Sequence, residues 1–294
     1  MANAAMAAPA QVTSGPTCLE LERRLEMLKA DATPTQINLL LFSAANAGCV
    51  PLARRLLAAG ASLEARDRFG AMPLARAARA GHVALVEFFL AQGAAIDARN
   101  LAGATALYGA AENERQATVA LLLAKGADPD LPGPAGVTPL AAAAFKGNDR
   151  IVDQLLARGA DPNVVDATGK AAITYAAARG FALIVRRLLD AGVDAKRGYG
   201  NDLTALMWAA GHEDGVGAGA AAEVVTFLLD AGAPIDAVDN RGRTALMTAA
   251  ELGRGEVVEL LLARGADRTI ADKRGKRALD LATDGNVRAK LSAR

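Results

Sequence analysis

The chain has 294 residues and a formal net charge of +1, and 71 of its residues are alanine while aromatic residues make up only 4%. The near-zero charge argues against attraction of the whole protein to nucleic acid, and no apolar stretch approaches the ~18 residues that cross a membrane. Two cysteines exclude a disulfide-rich scaffold. We therefore expect no nucleic-acid partner, no membrane insertion and a helical chain whose small side chains let helices pack closely.

The first part of the chain differs from the rest. Residues 1–16 are of low complexity, and we predict that they are disordered. Thr17 and Glu20 then have the spacing of a capping box, and apolar residues recur on one face of the helix that follows. We predict that residues 17–37 form an N-terminal capping helix.

From residue 38 onward the sequence repeats with a period of 33 residues. Each copy has a short apolar segment with an Ala-Ala pair, then a Leu-Leu or Phe-Leu pair, then Gly-Ala or Gly-Val. Such a period indicates a stack of small units that bury their apolar faces against one another. Seven copies begin near residues 38, 71, 104, 137, 170, 203 and 243, and a truncated copy begins near residue 276.

Each copy is predicted to fold as a helix, a second helix and a finger. In the copy at residue 137, Thr138 and Pro139 open the first helix, since proline fits the first helical turn. Val, Ile and Leu at helical spacing form the second helix, which ends at Gly159, a residue suited to the left-handed cap. The turn-forming residues 161–169 follow and predict a hairpin-like finger.

These residues resemble the ankyrin repeat, whose pattern runs Thr-Pro-Leu, Ala-Ala, Gly-His, Leu-Leu and Gly-Ala-Asp in this order. The resemblance covers roughly residues 38–294. It implies an all-α ankyrin-repeat solenoid with β-hairpin-like fingers, stacked as a curved right-handed array. It also implies a non-enzymatic scaffold without a cofactor, which binds a protein partner through its finger tips and the concave side of its first helices. We expect a monomer in the absence of that partner.

Positions that stacking does not require carry arginine and aromatic residues, which are typical interface anchors. We predict that they line one groove that binds a folded protein, with an acidic surface suited to the arginine-rich fingers. The predicted contact residues are Arg66, Arg68, Phe69, Arg79, Arg99, Leu101, Tyr108, Glu112, Asn113, Phe145, Lys146, Arg179, Tyr199, Met207, His212, Asn240, Arg241, Arg243 and Glu251.

Two fingers depart from the pattern. Residues 131–136 and 196–202 lack the usual placement of Asp and turn Gly, so their tips must follow a different path. Tyr199 lies in the second of them. We expect it to be exposed, either as a partner contact or as a cover for the neighbouring finger.

The sixth copy carries an insertion, residues 211–220, that we expect to lengthen the turn between its helices. It follows the only tryptophan, Trp208, and contains His212, Glu213 and Asp214. It is either a tolerated surface insertion or a binding loop, and a binding loop would make the protein a metal- or ligand-binding protein or an enzyme accessory subunit. Three consecutive loop residues are weak grounds for a metal site, and no catalytic motif is found, so we assign no metal ligand and no catalytic residue.

The two cysteines allow one bridge. Cys18 begins the capping helix, and Cys49 lies at the turn between the two helices of the first copy. If the capping helix imitates the second helix of a preceding copy, both sulfurs meet at the same end of parallel helices, and a disulfide is reasonable. The alternative is two reduced residues in an apolar core. A bridge suits an oxidising compartment, so a bacterial periplasm, with the export signal removed, is slightly favoured over the cytoplasm.

Overall fold

The computed structural model describes residues 17–28, 32–211 and 215–293, and in them helix α1 (Cys18–Met27) is followed by helices that form pairs. The first helices of the pairs are α2 (Pro34–Ala47), α4 (Pro73–Ala80), α6 (Ala106–Glu112), α8 (Pro139–Lys146), α10 (Ala172–Ala178), α12 (Ala205–Ala210), α14 (Ala245–Glu251) and α16 (Ala278–Leu281). The second helices are α3 (Val50–Ala58), α5 (Val83–Ala91), α7 (Gln116–Ala124), α9 (Asp149–Leu156), α11 (Ala182–Asp190), α13 (Ala218–Asp230), α15 (Gly255–Ala263) and α17 (Gly285–Ser292). The predicted disordered segment, residues 1–16, lies outside the described residues.

The helices form two layers. First helices contact first helices, second helices contact second helices, and each pair is packed together. The Ala-Ala pairs of the first helices, such as Ala143 and Ala144, have no exposed surface, so adjacent first helices approach without intervening bulk. Leucines and β-branched residues of the second helices complete the core. The predicted all-α repeat solenoid is therefore confirmed.

The helix ends follow the local sequence. The hydroxyl of Thr138 accepts from the Ala141 N–H at 3.2 Å, and Pro139 is the first residue of α8. Beyond the second helix of the same copy, Gly159 has a φ of 83°, a left-handed conformation that is costly for residues with a Cβ. The predicted start and stop signals are confirmed at both positions.

Helix α1 is attached to the first pair at both ends. Cys18 and Cys49 form a disulfide, with their Cα atoms 5.5 Å apart, at the start of α1 and of α3. Near the other end of both helices, Arg55 Nη2 lies 2.5 Å from a carboxylate oxygen of Glu26. Leu21 is fully buried between these contacts. Helix α1 thus runs alongside α3, where the second helix of a preceding copy would lie.

Three segments differ in extent from their predictions. The capping segment cannot extend to residue 37, because Thr33 caps α2 and the helix begins at Pro34. The insertion 211–220 does not only lengthen a turn, because its last residues begin α13 at Ala218, and an alanine-rich segment favours helix. The copy from residue 276 is less truncated than predicted, since it forms both α16 and α17.

The regular fingers are organised by an aspartate. Asp166 Oδ1 accepts from the backbone N–H groups of Thr168 at 2.7 Å and Lys170 at 3.1 Å, while the Asp166 N–H donates to the Lys170 carbonyl at 2.8 Å. The tip also bonds to the preceding finger, since the Ala167 N–H donates to the Ala135 carbonyl at 2.8 Å. The same side-chain bonds form at Asp67, Asn100, Asp239 and Asp272.

The two irregular fingers replace this aspartate with Gly133 and Tyr199. Each tip contains a residue other than glycine at positive φ, Ala135 at 55° and Asn201 at 64°, so both follow the different path that was predicted. The second of these fingers contains a short hairpin, in which β1 (Gly198–Tyr199) pairs antiparallel with β2 (Leu203–Thr204). It is the one sheet in the part of the chain that the structure describes.

Candidate functional site

The fingers and the exposed side of the first helices form one surface, which we call the finger face. In two copies the finger aspartate contacts the first-helix residue nine positions later. Arg76 pairs with Asp67, and the Tyr175 hydroxyl donates to Asp166. Arg243 and Glu251 pair across the same surface at 2.5 Å. Finger and helix side chains therefore belong to one site.

Most of the predicted contact residues lie on the finger face. Those classed as exposed are Arg66, Arg68, Phe69, Arg79, Arg99, Leu101, Phe145, Lys146, Asn240 and Arg241. Those partly exposed are Glu112, Asn113, Arg179, Arg243 and Glu251. Their role in partner binding stays a prediction. His212 lies outside the described residues.

Three predicted contact residues are instead buried: Tyr108, Tyr199 and Met207 are only 2% to 6% exposed. Tyr108 fills the space left by Gly133, where a Cβ would lie 2.7 Å from its ring. Burial, with a smaller effect from nearby Glu112, raises the pKa of Tyr108 to about 12. These side chains support the fingers from beneath.

Tyr199 is buried because of its position in the repeat. It stands 33 residues after Asp166, at the position where Asp166 and Asp239 are buried in regular fingers. Burial raises the pKa of its phenol. The expectation that Tyr199 is exposed is therefore wrong, and of its two proposed roles only that of a cover within the protein fits this burial.

Two of the predicted arginine contacts join neighbouring fingers. Arg66 Nη1 donates to the carbonyls of Gly70 and Arg99, both at 2.8 Å. Arg99 donates to the carbonyls of Gly103 at 2.9 Å and Pro132 at 3.0 Å. Their guanidinium groups donate to backbone carbonyls within and between the fingers, so they stabilise the array itself.

Phe69 is the exposed centre of the first finger, with 52% of its surface accessible. The guanidinium carbon of Arg68 lies 4.7 Å from its ring centroid and that of Arg76 lies 5.7 Å away. Burial alone would raise the pKa of Asp67, but hydrogen bonds from backbone amides and from Arg76 lower it. Arg76 is thus neutralised, whereas Arg68 has no carboxylate partner among the described residues.

A larger aromatic cluster occupies the middle of the finger face. The Lys170 ammonium lies 4.9 Å from the Trp208 ring centroid and 5.7 Å from that of Tyr175. Phe145 meets Tyr175 edge to face at 5.8 Å, and the Arg179 guanidinium lies 4.6 Å from the Phe145 ring. We call these five residues, together with Lys146, the central patch.

Asp166 holds the central patch to its finger. Its carboxylate accepts from Tyr175 Oη, from the Thr168 hydroxyl and from two backbone amides. Burial alone would raise the pKa of Asp166, but these bonds lower it. In return, burial and the bonded carboxylate raise the pKa of Tyr175. The phenol therefore stays protonated, and its ring is held in place beside Lys170.

Sequence reasoning predicted half of the central patch, namely Phe145, Lys146 and Arg179, and missed the other half. Lys170 and Tyr175 were not predicted as contacts, and Trp208 was noted only beside the insertion. A signal was present, because Arg76, Tyr175 and Trp208 occupy one repeat position, separated by multiples of 33 residues. The prediction followed the positions just after each Ala-Ala pair and overlooked the residue one helical turn earlier.

The alternative site in the insertion is not tested. His212, Glu213 and Asp214 lie outside the described residues. Within residues 17–28, 32–211 and 215–293, no group of three or more His, Cys, Asp or Glu residues is placed to hold a metal ion, and no helix there has the length and apolarity to cross a bilayer.

The chain was compared with known proteins. A family model described as ankyrin repeats in three copies matches residues 41–132, 140–218 and 216–289. Together these matches cover well over half of the chain. No curated protein matches it.

Proposed function

The chain belongs to the ankyrin repeat family, whose members are generally protein-protein interaction modules without catalytic activity, and from this premise we propose that it is a non-enzymatic scaffold that binds a protein partner through its finger face. The partner would contact the finger tips and the concave side of the first helices. The proposal includes no reaction, because the function of the scaffold is to bind its partner.

The central patch is the observation that carries this proposal. Aromatic residues make up only 4% of the chain, yet Phe145, Tyr175 and Trp208 lie together on one face with cations over their rings. Tryptophan, tyrosine and arginine dominate the residues whose truncation weakens protein interfaces most. The core consists mainly of alanine and aliphatic residues, and Tyr175 and Trp208 pack against it while staying partly exposed, so the exposed part of their rings is available to a partner.

Affinity capture from an extract of the source organism, followed by mass spectrometry, tests the proposal. A finger-face variant, Arg68→Ala with Arg79→Ala and Phe145→Ala, should retain less than a tenth of the partner that the wild type captures. Arg66 is left intact because its hydrogen bonds hold two fingers together.

The matched control changes exposed residues of the second helices, Arg150→Ala with Leu183→Ala. This variant should capture the partner as well as the wild type does. Equal capture by all three proteins would contradict the proposal, and a loss confined to the second-helix variant would move the binding surface to the other side of the array. Urea unfolding of each variant verifies that the array remains folded.

A further inference from the structure

Two lysines of the central patch have no carboxylate partner in the part of the chain that the structure describes. No carboxylate oxygen among the described residues lies within 4 Å of the ammonium groups of Lys146 and Lys170, whose neighbours are the rings of Phe145, Tyr175 and Trp208. Asp166, the nearest finger carboxylate, is committed to four hydrogen bonds. The patch therefore combines aromatic rings with two lysines, Lys146 and Lys170, that have no carboxylate partner among the described residues.

A cation held on aromatic rings is well suited to receive a carboxylate. The ring faces attract the ammonium group and hold it in place without cancelling its charge. An incoming carboxylate then forms a charge-assisted hydrogen bond, which is shorter and stronger than a neutral one. Phe145, of which 36% is exposed, offers an apolar surface beside these cations. A ligand with an apolar side chain next to an acidic one would contact both the ring surface and the ammonium groups.

We propose that the central patch binds an acidic polypeptide segment, with carboxylates directed at Lys146 and Lys170 and an apolar side chain on the aromatic rings. This inference rests on the proposed function and adds the chemistry of the partner. It also relocates the acidic-surface preference from the arginine-rich fingers, where Arg66 and Arg99 are already bonded to carbonyls, to the middle of the finger face.

Cations and aromatic rings together also suit single-stranded nucleic acid, but the neighbouring fingers disfavour it. Asp97, Asp128, Asp130 and Asp161 form a row that passes from finger to finger through side-chain to backbone bonds. Burial, followed by the repulsion of Asp128 and Asp161, raises the pKa of Asp130. A strand that extended onto these loops, which join the second helices to the fingers, would be repelled by the carboxylates, whereas a short acidic segment need not extend there.

Peptide selection identifies the preferred chemistry without knowledge of the natural partner. Phage-displayed random 12-residue peptides are selected on immobilised wild-type protein, and the most enriched peptide is synthesised. We expect enrichment of Asp and Glu next to Phe, Leu or Trp. Because Trp208 is the only tryptophan of the chain, a tryptophan-free peptide can be titrated by its effect on Trp208 emission.

Charge reversal in the patch provides the decisive comparison. Lys146→Glu with Lys170→Glu should weaken binding of the selected peptide at least tenfold. The matched control, Lys125→Glu with Arg150→Glu, makes the same change of charge at exposed positions around the second helices and should leave binding within twofold of wild type. Far-UV circular dichroism and urea unfolding check the fold of both variants.

The outcomes separate this inference from the proposed function. Selected peptides that need the finger face but are neutral or basic would overturn the inference alone. Peptides that bind equally to both charge-reversed variants would place binding outside the central patch and overturn the inference, whereas the proposed function is overturned only by the capture experiment with the finger-face variant. A 20-nucleotide single-stranded DNA that perturbs Trp208 and displaces the selected peptide at lower concentration would replace the acidic segment by a nucleic acid.

Discussion

The first fingers and the central patch carry cations on the same face but hold them in different ways. Arg66 and Arg99 donate to backbone carbonyls of the next finger, while Lys170 lies over the rings of Tyr175 and Trp208 and has no carboxylate partner among the described residues. Exposure and positive charge are common to both. A cation that satisfies carbonyl groups contributes to the stability of the array, and a cation on aromatic rings remains available to a partner. Whether an exposed cation is available to a partner therefore depends on whether the protein itself supplies hydrogen-bond acceptors for it.

The largest effect on stability is expected outside both regions, at the N-terminal disulfide. Cys18→Ser with Cys49→Ser opens a link between residues separated by 31 positions and should lower the free energy of unfolding by about 3 to 4 kcal/mol. Urea unfolding measures this. In a repeat array each copy contacts only its neighbours, so Trp208 emission of the folded protein should not change. A changed emission would mean that the cap and the central patch are coupled.

In the central patch, Asp166→Ala should destabilise the array by about 3 kcal/mol, because hydrogen bonds to a buried charged group are lost and their donors remain. Asp166→Asn is the matched control, since Asn100 makes the corresponding bonds to two backbone amides in its own finger. Urea unfolding should show a much smaller loss for this variant. Equal losses would mean that the amide bonds contribute little.

The pH dependence of stability tests the charge of the same carboxylate. The pKa of Asp166 is lower in the folded protein than its ordinary value, so its contribution is complete above about pH 3.9 and is lost as the pH falls through the folded pKa. Urea midpoints measured from pH 6 to pH 3 should therefore fall less steeply for Asp166→Asn than for wild type. Parallel curves would contradict the assigned hydrogen bonds.

In the first fingers, Arg66→Ala should lower the free energy of unfolding by about 1 to 2 kcal/mol, because two carbonyl acceptors lose their donor. Arg68→Ala should cost no more than about 0.5 kcal/mol, since Arg68 is exposed and stacks only on Phe69. Binding of the selected peptide should respond to neither substitution. If Arg66→Ala weakened peptide binding with unchanged stability, the contrast between the two regions would fail.

The smallest effect within the central patch is expected for Tyr175→Phe, which removes one hydroxyl and keeps the ring. Loss of its bond to Asp166 should lower the free energy of unfolding by about 1 kcal/mol. The ring contact with Lys170 remains, so peptide affinity should stay within threefold, whereas Tyr175→Ala should reduce it further. Trp208 fluorescence titration measures both. Equal affinities of the two variants would remove the Tyr175 ring from the binding surface.

Much of the fold could be predicted from the sequence because its signals are local. The capping box at Thr17, the proline that opens α8 and the left-handed Gly159 each act within a few residues of the chain. The repeat period then places these signals in every copy. Boundaries were less reliable, as at α13, where alanine-rich residues of an insertion join the helix.

The sequence by itself determined the stack of helix pairs and the general location of a binding face. Only the tertiary structure decided which exposed residues are available on it. Tyr199 is buried under its own finger, Arg66 is bonded to the next finger, and Lys170 meets Trp208 from the following copy. The physical reason is that helix starts and caps depend on neighbours in the chain, whereas burial and hydrogen-bond acceptors are supplied by other copies of the repeat.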